Sequence, residues 1–232
     1  MAIIKELEKL YPLKGTGEPE YYLGGDIYNV EQDGENFLAM SAKTYIKNVS
    51  DKIERTMDVR LRNYGSPMMP NLHPEIDSSS LLTGSAVQHY RMLVGSAQWC
   101  VTLGRWDVFY AVNTMARYMM MPRQGHMEAM LRLFGYLKHN PRGRILFDVD
   151  PMDLEDYATE DYDWMEFYPD TVEEVPPDMP VPKGNYVNIH GYVDADHASC
   201  LETRRSTTGV LLFVNRTPIK WYCKRQATVE SS

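Results

Sequence analysis

Residues 147–180 hold thirteen carboxylates, among them Asp148, Asp150, Glu155, Asp163, Glu173 and Asp178, and no lysine or arginine. Mutual repulsion and interspersed prolines keep such a stretch from burying itself. A compact fold must therefore be assembled from what lies on either side, and the stretch predicts an extended linker or surface insertion. It also accounts for the net charge of -8: with thirteen of the 32 acids here, 19 remain against 24 basic residues elsewhere. The body of the chain is mildly basic. At 232 residues there is room for two cores, and 44% hydrophobic and 11% aromatic residues exclude wholesale disorder. No apolar run is long enough to span a bilayer, and "MAIIKELEKLYPLKG" is charged where a signal peptide needs an apolar core. These features predict an intracellular protein with no membrane partner. Cys100, Cys200 and Cys223 are few, odd in number and far apart, which fits neither a disulfide framework nor a zinc site.

Ahead of the acidic stretch the texture changes once, near Leu82. "EYYLGGDIYNV" and "NFLAMSA", joined by a Gly-containing turn, predict a hairpin, and Tyr45, Ile46, Val49, Ile53 and Met57 then recur at helical spacing. After the proline-rich "SPMMPNLHPEI", three helices are predicted around Val87–Val101, Val108–Met119 and Met127–Leu137. Ser85 and Asp107 are the expected N-caps of the first two, and Pro122 the stop of the second. Met119 to Met121 read as gap-fillers of the helical core, and Trp99, Trp106 and Tyr136 as core aromatics. "RILFD" returns as a strand.

Behind the acidic stretch, "NYVNIHGYVDAD", "TTGVLLFVNRTPI" and "KWYCKRQATV" predict an antiparallel three-stranded meander. Within the first run, "GYVDADHASC" sets Asp194 and Asp196 on one face of a strand, roughly 6.6 Å apart along the chain. Two acids there suit either a cation or the solvated end of a strand. His197 beside them reads as a surface residue.

"GYVDADHASCLETRRSTTGVLLFVNRTPIKWYCKRQATVESS" resembles the opening of the ribonuclease H domain of copia-type long-terminal-repeat retrotransposon Pol polyproteins. The shared pattern is a Gly-Tyr-x-Asp-Ala-Asp strand, an Arg-x-Ser-Thr-x-Gly turn and a Trp-containing third strand. "YYLGGDI" resembles the hairpin that follows the polymerase palm and grips the primer, and residues 90–147 resemble the helical thumb and connection region. Trp106 departs from the pattern, standing where the family usually has proline, and the acidic stretch is unusually long.

The resemblance implies an α+β chain: the end of a palm with its primer-grip-like hairpin (1–82), a helical thumb-connection bundle (83–147), an acidic linker (148–184) and a partial ribonuclease H-like three-stranded sheet (185–232). The parent activity is RNA-directed DNA synthesis with hydrolysis of RNA:DNA hybrids. Asp194 is then the first catalytic, Mg²⁺-binding carboxylate, with Asp196 as a second ligand. Such a centre uses two Mg²⁺ ions about 4 Å apart and several carboxylates. In the family the remaining acids follow the Ser-Ser pair, and Glu230 precedes that pair and is not assigned. The chain alone is accordingly expected to bind a hybrid or primer-template without turnover, with other Pol domains as partners, in the cytoplasm or a virus-like particle. Tyr22, Leu23 and Gly24 at the hairpin and Arg204, Arg205, Lys224 and Arg225 on the sheet are the expected nucleic-acid contacts, since positive charge at short range dominates such binding. The competing expectation is a decayed or domesticated interaction module whose acidic segment binds a basic partner.

Overall fold

The computed structural model describes residues 2–12, 17–152, 164–170, 176–181, 184 and 186–229. Much of the expected linker and all of 230–232 lie outside the described residues. In chain order the elements are α1 (Ala2–Leu10), β1 (Tyr21–Tyr22), β2 (Gly25–Gln32), β3 (Glu35–Ser41), α2 (Lys43–Met57), α3 (Ser85–Thr102), α4 (Phe109–Ala116), α5 (Gln124–His139), β4 (Arg144–Phe147), the short α6 (Trp164–Phe167), β5 (Ile189–Ala195), β6 (Thr207–Val214) and β7 (Thr217–Arg225). This is an α+β arrangement with two antiparallel sheets, ordered β1-β2-β3-β4 and β5-β6-β7.

The predicted hairpin forms with Gln32 opposite Glu35. Its two-residue turn, Asp33 and Gly34, has both φ angles positive, the conformation whose twist matches paired strands. A second tight turn at Leu23 (φ 49°) and Gly24 (φ 97°) adds β1, with Tyr22 paired to Gly25. After four helices the chain returns to this sheet, where β4 pairs with β3 between Ser41↔Arg144 and Leu38↔Phe147. The strand expected at "RILFD" thus ties the helices back to the hairpin, and the main core lies among those helices.

That core is helical. Ile46 and Ile53 of α2, Leu93, Val94 and Ala97 of α3, Val112 and Met115 of α4, and Met130, Leu133, Phe134 and Leu137 of α5 are all buried. The i, i+3, i+4 spacing that predicted each helix is the spacing that turns these side chains inward. Tyr90 is fully buried and donates its hydroxyl to the Met115 carbonyl at 2.7 Å, so its one polar atom is satisfied.

Several local expectations are overturned. Gly84, not Ser85, occupies the N-cap position of α3, and no side chain caps that end. Asp107 does not cap α4: it lies in a 3₁₀ turn (Trp106–Val108), and its two carboxylate oxygens accept from Arg105 Nε and Nη2, each at 2.8 Å. A nearly buried guanidinium outcompetes a solvated helix end for the carboxylate. The helix α4 ends at Ala116, well short of Pro122, whose carbonyl accepts from Leu82 N–H instead. Met120 and Met121 are 82% and 67% exposed on that turn and fill no core gap. Trp99 and Trp106, at 38% and 42% exposed, are surface aromatics, because the core is closed by the aliphatic positions around them. Tyr136 packs partly against the core as expected.

The loop before α3 caps α5 from outside. Ser79 Oγ accepts from Gly125 N–H, the Ser80 carbonyl from Gln124 N–H, and His126 Nδ1 from Arg123 N–H. His126 Nε2 faces the Pro74 carbonyl at 2.9 Å, which fixes its proton on Nε2. Orphan donors at the helix start are thereby used without a capping side chain in the usual position.

The three-stranded sheet forms as the β-branched and aromatic runs predict, with the turn at Asn215–Arg216, so that residues 217–219 belong to the third strand. Its strands are thinly covered: from 186 to 229 the buried residues are Ala198, Cys200, Ser206, Asn215 and Thr217, all in connections or at strand ends. The sheet leans on the helical body instead of building its own core. Trp221 packs against the helical core, Thr217 Oγ1 donates to the Asp148 carbonyl at 2.8 Å, and Asn215 Nδ2 donates to the Val149 carbonyl at 2.6 Å. On the opposite side Leu201 N–H donates to Glu75 Oε1 at 2.9 Å.

Candidate functional site

Alternation along β5 puts Tyr192 and Asp194 on the face of the sheet that looks toward α4, together with Leu211, Trp221 and Cys223 of its neighbours. Across from them stand Trp106, Phe109 and Tyr110 of the 3₁₀ turn and α4. Between the two walls is a cleft of about 360 Å³, with Asp194 and Asp196 on its rim. The walls are pinned where Asn113 Nδ2 approaches Cys223 Sγ at 3.8 Å. Burial raises the Cys223 thiol, with Asp196 adding to the effect.

Asp194 is exposed and its Oδ1 accepts from Ala195 N–H at 2.8 Å. Asp196 is half-buried and its Oδ1 accepts from Thr207 N–H at 2.6 Å, which closes the end of the β5-β6 ladder. The first carboxylate projects at a cleft, whereas the second is used in part to hold the sheet together. Among the described residues no cluster of three or more His, Cys, Asp and Glu side chains is placed to hold a metal ion. A two-Mg²⁺ centre needs more carboxylates than these two, so the described residues do not by themselves fit one.

The four expected cationic contacts gather at the same end of the sheet. Thr207 pairs with Arg225 and Thr208 with Lys224, while Arg204 and Arg205 lie in the connection that enters β6. Arg204 and Lys224 are exposed; Arg205 and Arg225 are half-buried. Arg225 Nη1 lies 3.9 Å from Cys200 Sγ. Burial works to raise that thiol, but hydrogen bonds from Thr203, Glu202 and Arg225 together hold it below its ordinary value.

Tyr22 and Leu23 stand out from the body at 65% and 63% exposure. The turn beneath them is seated on α3: a Cβ at Gly24 would meet Trp99 Nε1 at 3.1 Å and Leu103 Cδ1 at 3.5 Å. Leu103 and Trp106 are three positions apart in the chain, a span of at most about 11 Å. The β1-β2 turn and the Asp194 cleft therefore flank one helix end. The wall opposite Asp194 was not read from the sequence; the signal available was Trp106, an aromatic just ahead of the helical run that follows it.

Compared with known proteins, the chain is 27% identical over 229 residues to the retrovirus-related Pol polyprotein from transposon RE1 of Arabidopsis thaliana, covering 99% of this chain and 13% of that protein. It is 26% identical over 226 residues to the corresponding polyprotein from transposon RE2 of the same plant, covering 97% of this chain and 12% of the relative. An uncharacterized mitochondrial protein of Arabidopsis thaliana is 26% identical over 235 residues, or 99% of this chain and 77% of its own length. No family model and no solved structure matches. Among the described residues no helix is long and apolar enough to cross a membrane.

Proposed function

We propose, for a chain that belongs with the Pol polyproteins of copia-type retrotransposons, that it is a nucleic-acid-handling segment linking polymerase and ribonuclease H functions. The observation that carries this is that Asp194 and four cationic residues share one end of the second sheet, while the Leu23–Gly24 turn is seated on α3 close to the cleft. In this reading Tyr22, Leu23 and Gly24 contact the primer-template, while Arg204, Arg205, Lys224 and Arg225 contact phosphates of an RNA:DNA hybrid. Asp194 contributes one Mg²⁺ ligand within a larger polyprotein, and Asp196 chiefly holds the strand end that presents it. Because the described residues supply no complete ligand set, hydrolysis is assigned to the assembled enzyme and not to this chain alone.

The reading is tested by hybrid affinity as a function of salt. Each phosphate contact contributes a slope of about 0.9 in log affinity against log salt for duplex B-DNA, and a hybrid is expected to behave similarly. Replacing all four cations by alanine is expected to flatten the slope by roughly 3.6. An unchanged slope in a folded variant would remove these residues from the interface.

A further inference from the structure

The cleft beside Asp194 has an unusual pairing of walls. Trp106 and Tyr110 present exposed aromatic surface on one side, and Asp194 and Asp196 place carboxylates on the rim opposite. An apolar occupant would strip water from those carboxylates without replacing its hydrogen bonds, which is costly. A planar ring with N–H donors on its edge satisfies both walls at once. Asp194 Oδ1 already takes the Ala195 N–H, and Asp196 Oδ1 the Thr207 N–H. The remaining oxygens are the acceptors for such donors.

Two kinds of group match that description, a nucleobase and an arginine side chain. The surroundings choose between them. Arg204, Arg205, Lys224 and Arg225 lie at the same end of the sheet, where they attract phosphates and repel a basic peptide. The volume of about 360 Å³ sits at the small end of ligand clefts and suits one nucleoside-sized group.

Resting on the functional reading above, we infer that this cleft, when no metal ion is held at Asp194, binds a single unpaired nucleobase, stacked on Trp106 and hydrogen-bonded through an exocyclic amino group to the carboxylate rim. Cytosine, whose N4 amino group is the natural donor to an aspartate, is favoured over thymine, which presents O4 and a methyl group instead. The site would hold a base at a single-stranded junction or end while the phosphates on either side run over the cations.

The test uses the full chain with fluorescein-labelled oligo-dC and oligo-dT of equal length, at low salt with EDTA, alongside an RNA:DNA hybrid. The expected result is tighter binding of oligo-dC than oligo-dT. Trp106→Ala should weaken oligo-dC about tenfold, the effect of losing one stacked base, and leave hybrid binding in place. Trp106→Phe should retain affinity within about threefold, and Asp194→Asn should shrink the dC-over-dT preference. Oligo-dC affinity unchanged in Trp106→Ala, with hybrid binding intact, would overturn this inference alone. No binding of oligonucleotide or hybrid would overturn the functional reading with it, and capture of an arginine-rich peptide in place of oligo-dC would assign the cleft to a protein ligand.

Discussion

Gly95 and Gly135 lie in the middle of α3 and α5 and are expected to answer the same added methyl group in opposite ways. A Cβ at Gly95 meets nothing within 4 Å, so Gly95→Ala should stabilise by about 0.5–1 kcal/mol through helix propensity. A Cβ at Gly135 would collide with the Arg62 carbonyl and the Tyr64 ring, so Gly135→Ala should destabilise by about 1–3 kcal/mol. Urea unfolding of the two variants checks both signs. Glu75 gives a second prediction at this scale. Burial works to raise its carboxyl, but the Leu201 N–H, its own backbone N–H and His73 together hold it below its ordinary value. A depressed carboxylate contributes stability above its unfolded pKa of about 4.3 and loses it as pH falls through the folded value. The stability gap between the native chain and Glu75→Gln should be full near pH 7 and shrink below about pH 4. A gap independent of pH would show that the charge is not what matters at the Leu201 contact.

Among the elements, the turn between α3 and α4 is the part most dependent on one ion pair. Arg105 is 2% exposed, donates to both Asp107 oxygens and sends Nη1 to the Asn140 carbonyl at the end of α5. Removing the carboxylate leaves a buried guanidinium short of its counter-charge. Asp107→Ala is expected to cost about 2–3 kcal/mol in chemical denaturation, toward the lower end because the Asp107 side chain is itself 35% exposed. A loss below about 0.5 kcal/mol would mean that water replaces the carboxylate. The elements themselves were legible, since helical and strand periodicities record which face is buried and burial is what fixes them. The caps were not. Ser85 has the right side chain at the wrong position, and Asp107 is taken by Arg105, a partner two residues away that only the folded turn brings to it. Trp106 was likewise readable as an oddity but not as a surface wall, because periodicity does not distinguish an aromatic in the core from one at its margin.

At the scale of the whole molecule, charge and coverage divide the work. The acidic stretch concentrates the negative charge and leaves a basic remainder, and the cationic end of the second sheet is where that remainder meets Asp194. That sheet carries few buried residues and is held to the helical body by Trp221, to the segment after β4 by Thr217 and Asn215, and to the loop before α3 by the Glu75–Leu201 contact. The meander was legible strand by strand, whereas the cleft it makes with α4 was not, since its two walls lie 82 or more residues apart in the chain. The most direct measurement is incubation of the purified chain with a labelled RNA:DNA hybrid and Mg²⁺, following binding and cleavage together, with Asp194→Asn in parallel. The predicted result is salt-sensitive binding by both proteins and cleavage by neither. Failure to bind the hybrid at low salt would contradict the nucleic-acid-handling role, and cleavage abolished by Asp194→Asn would show that this chain completes a metal centre on its own.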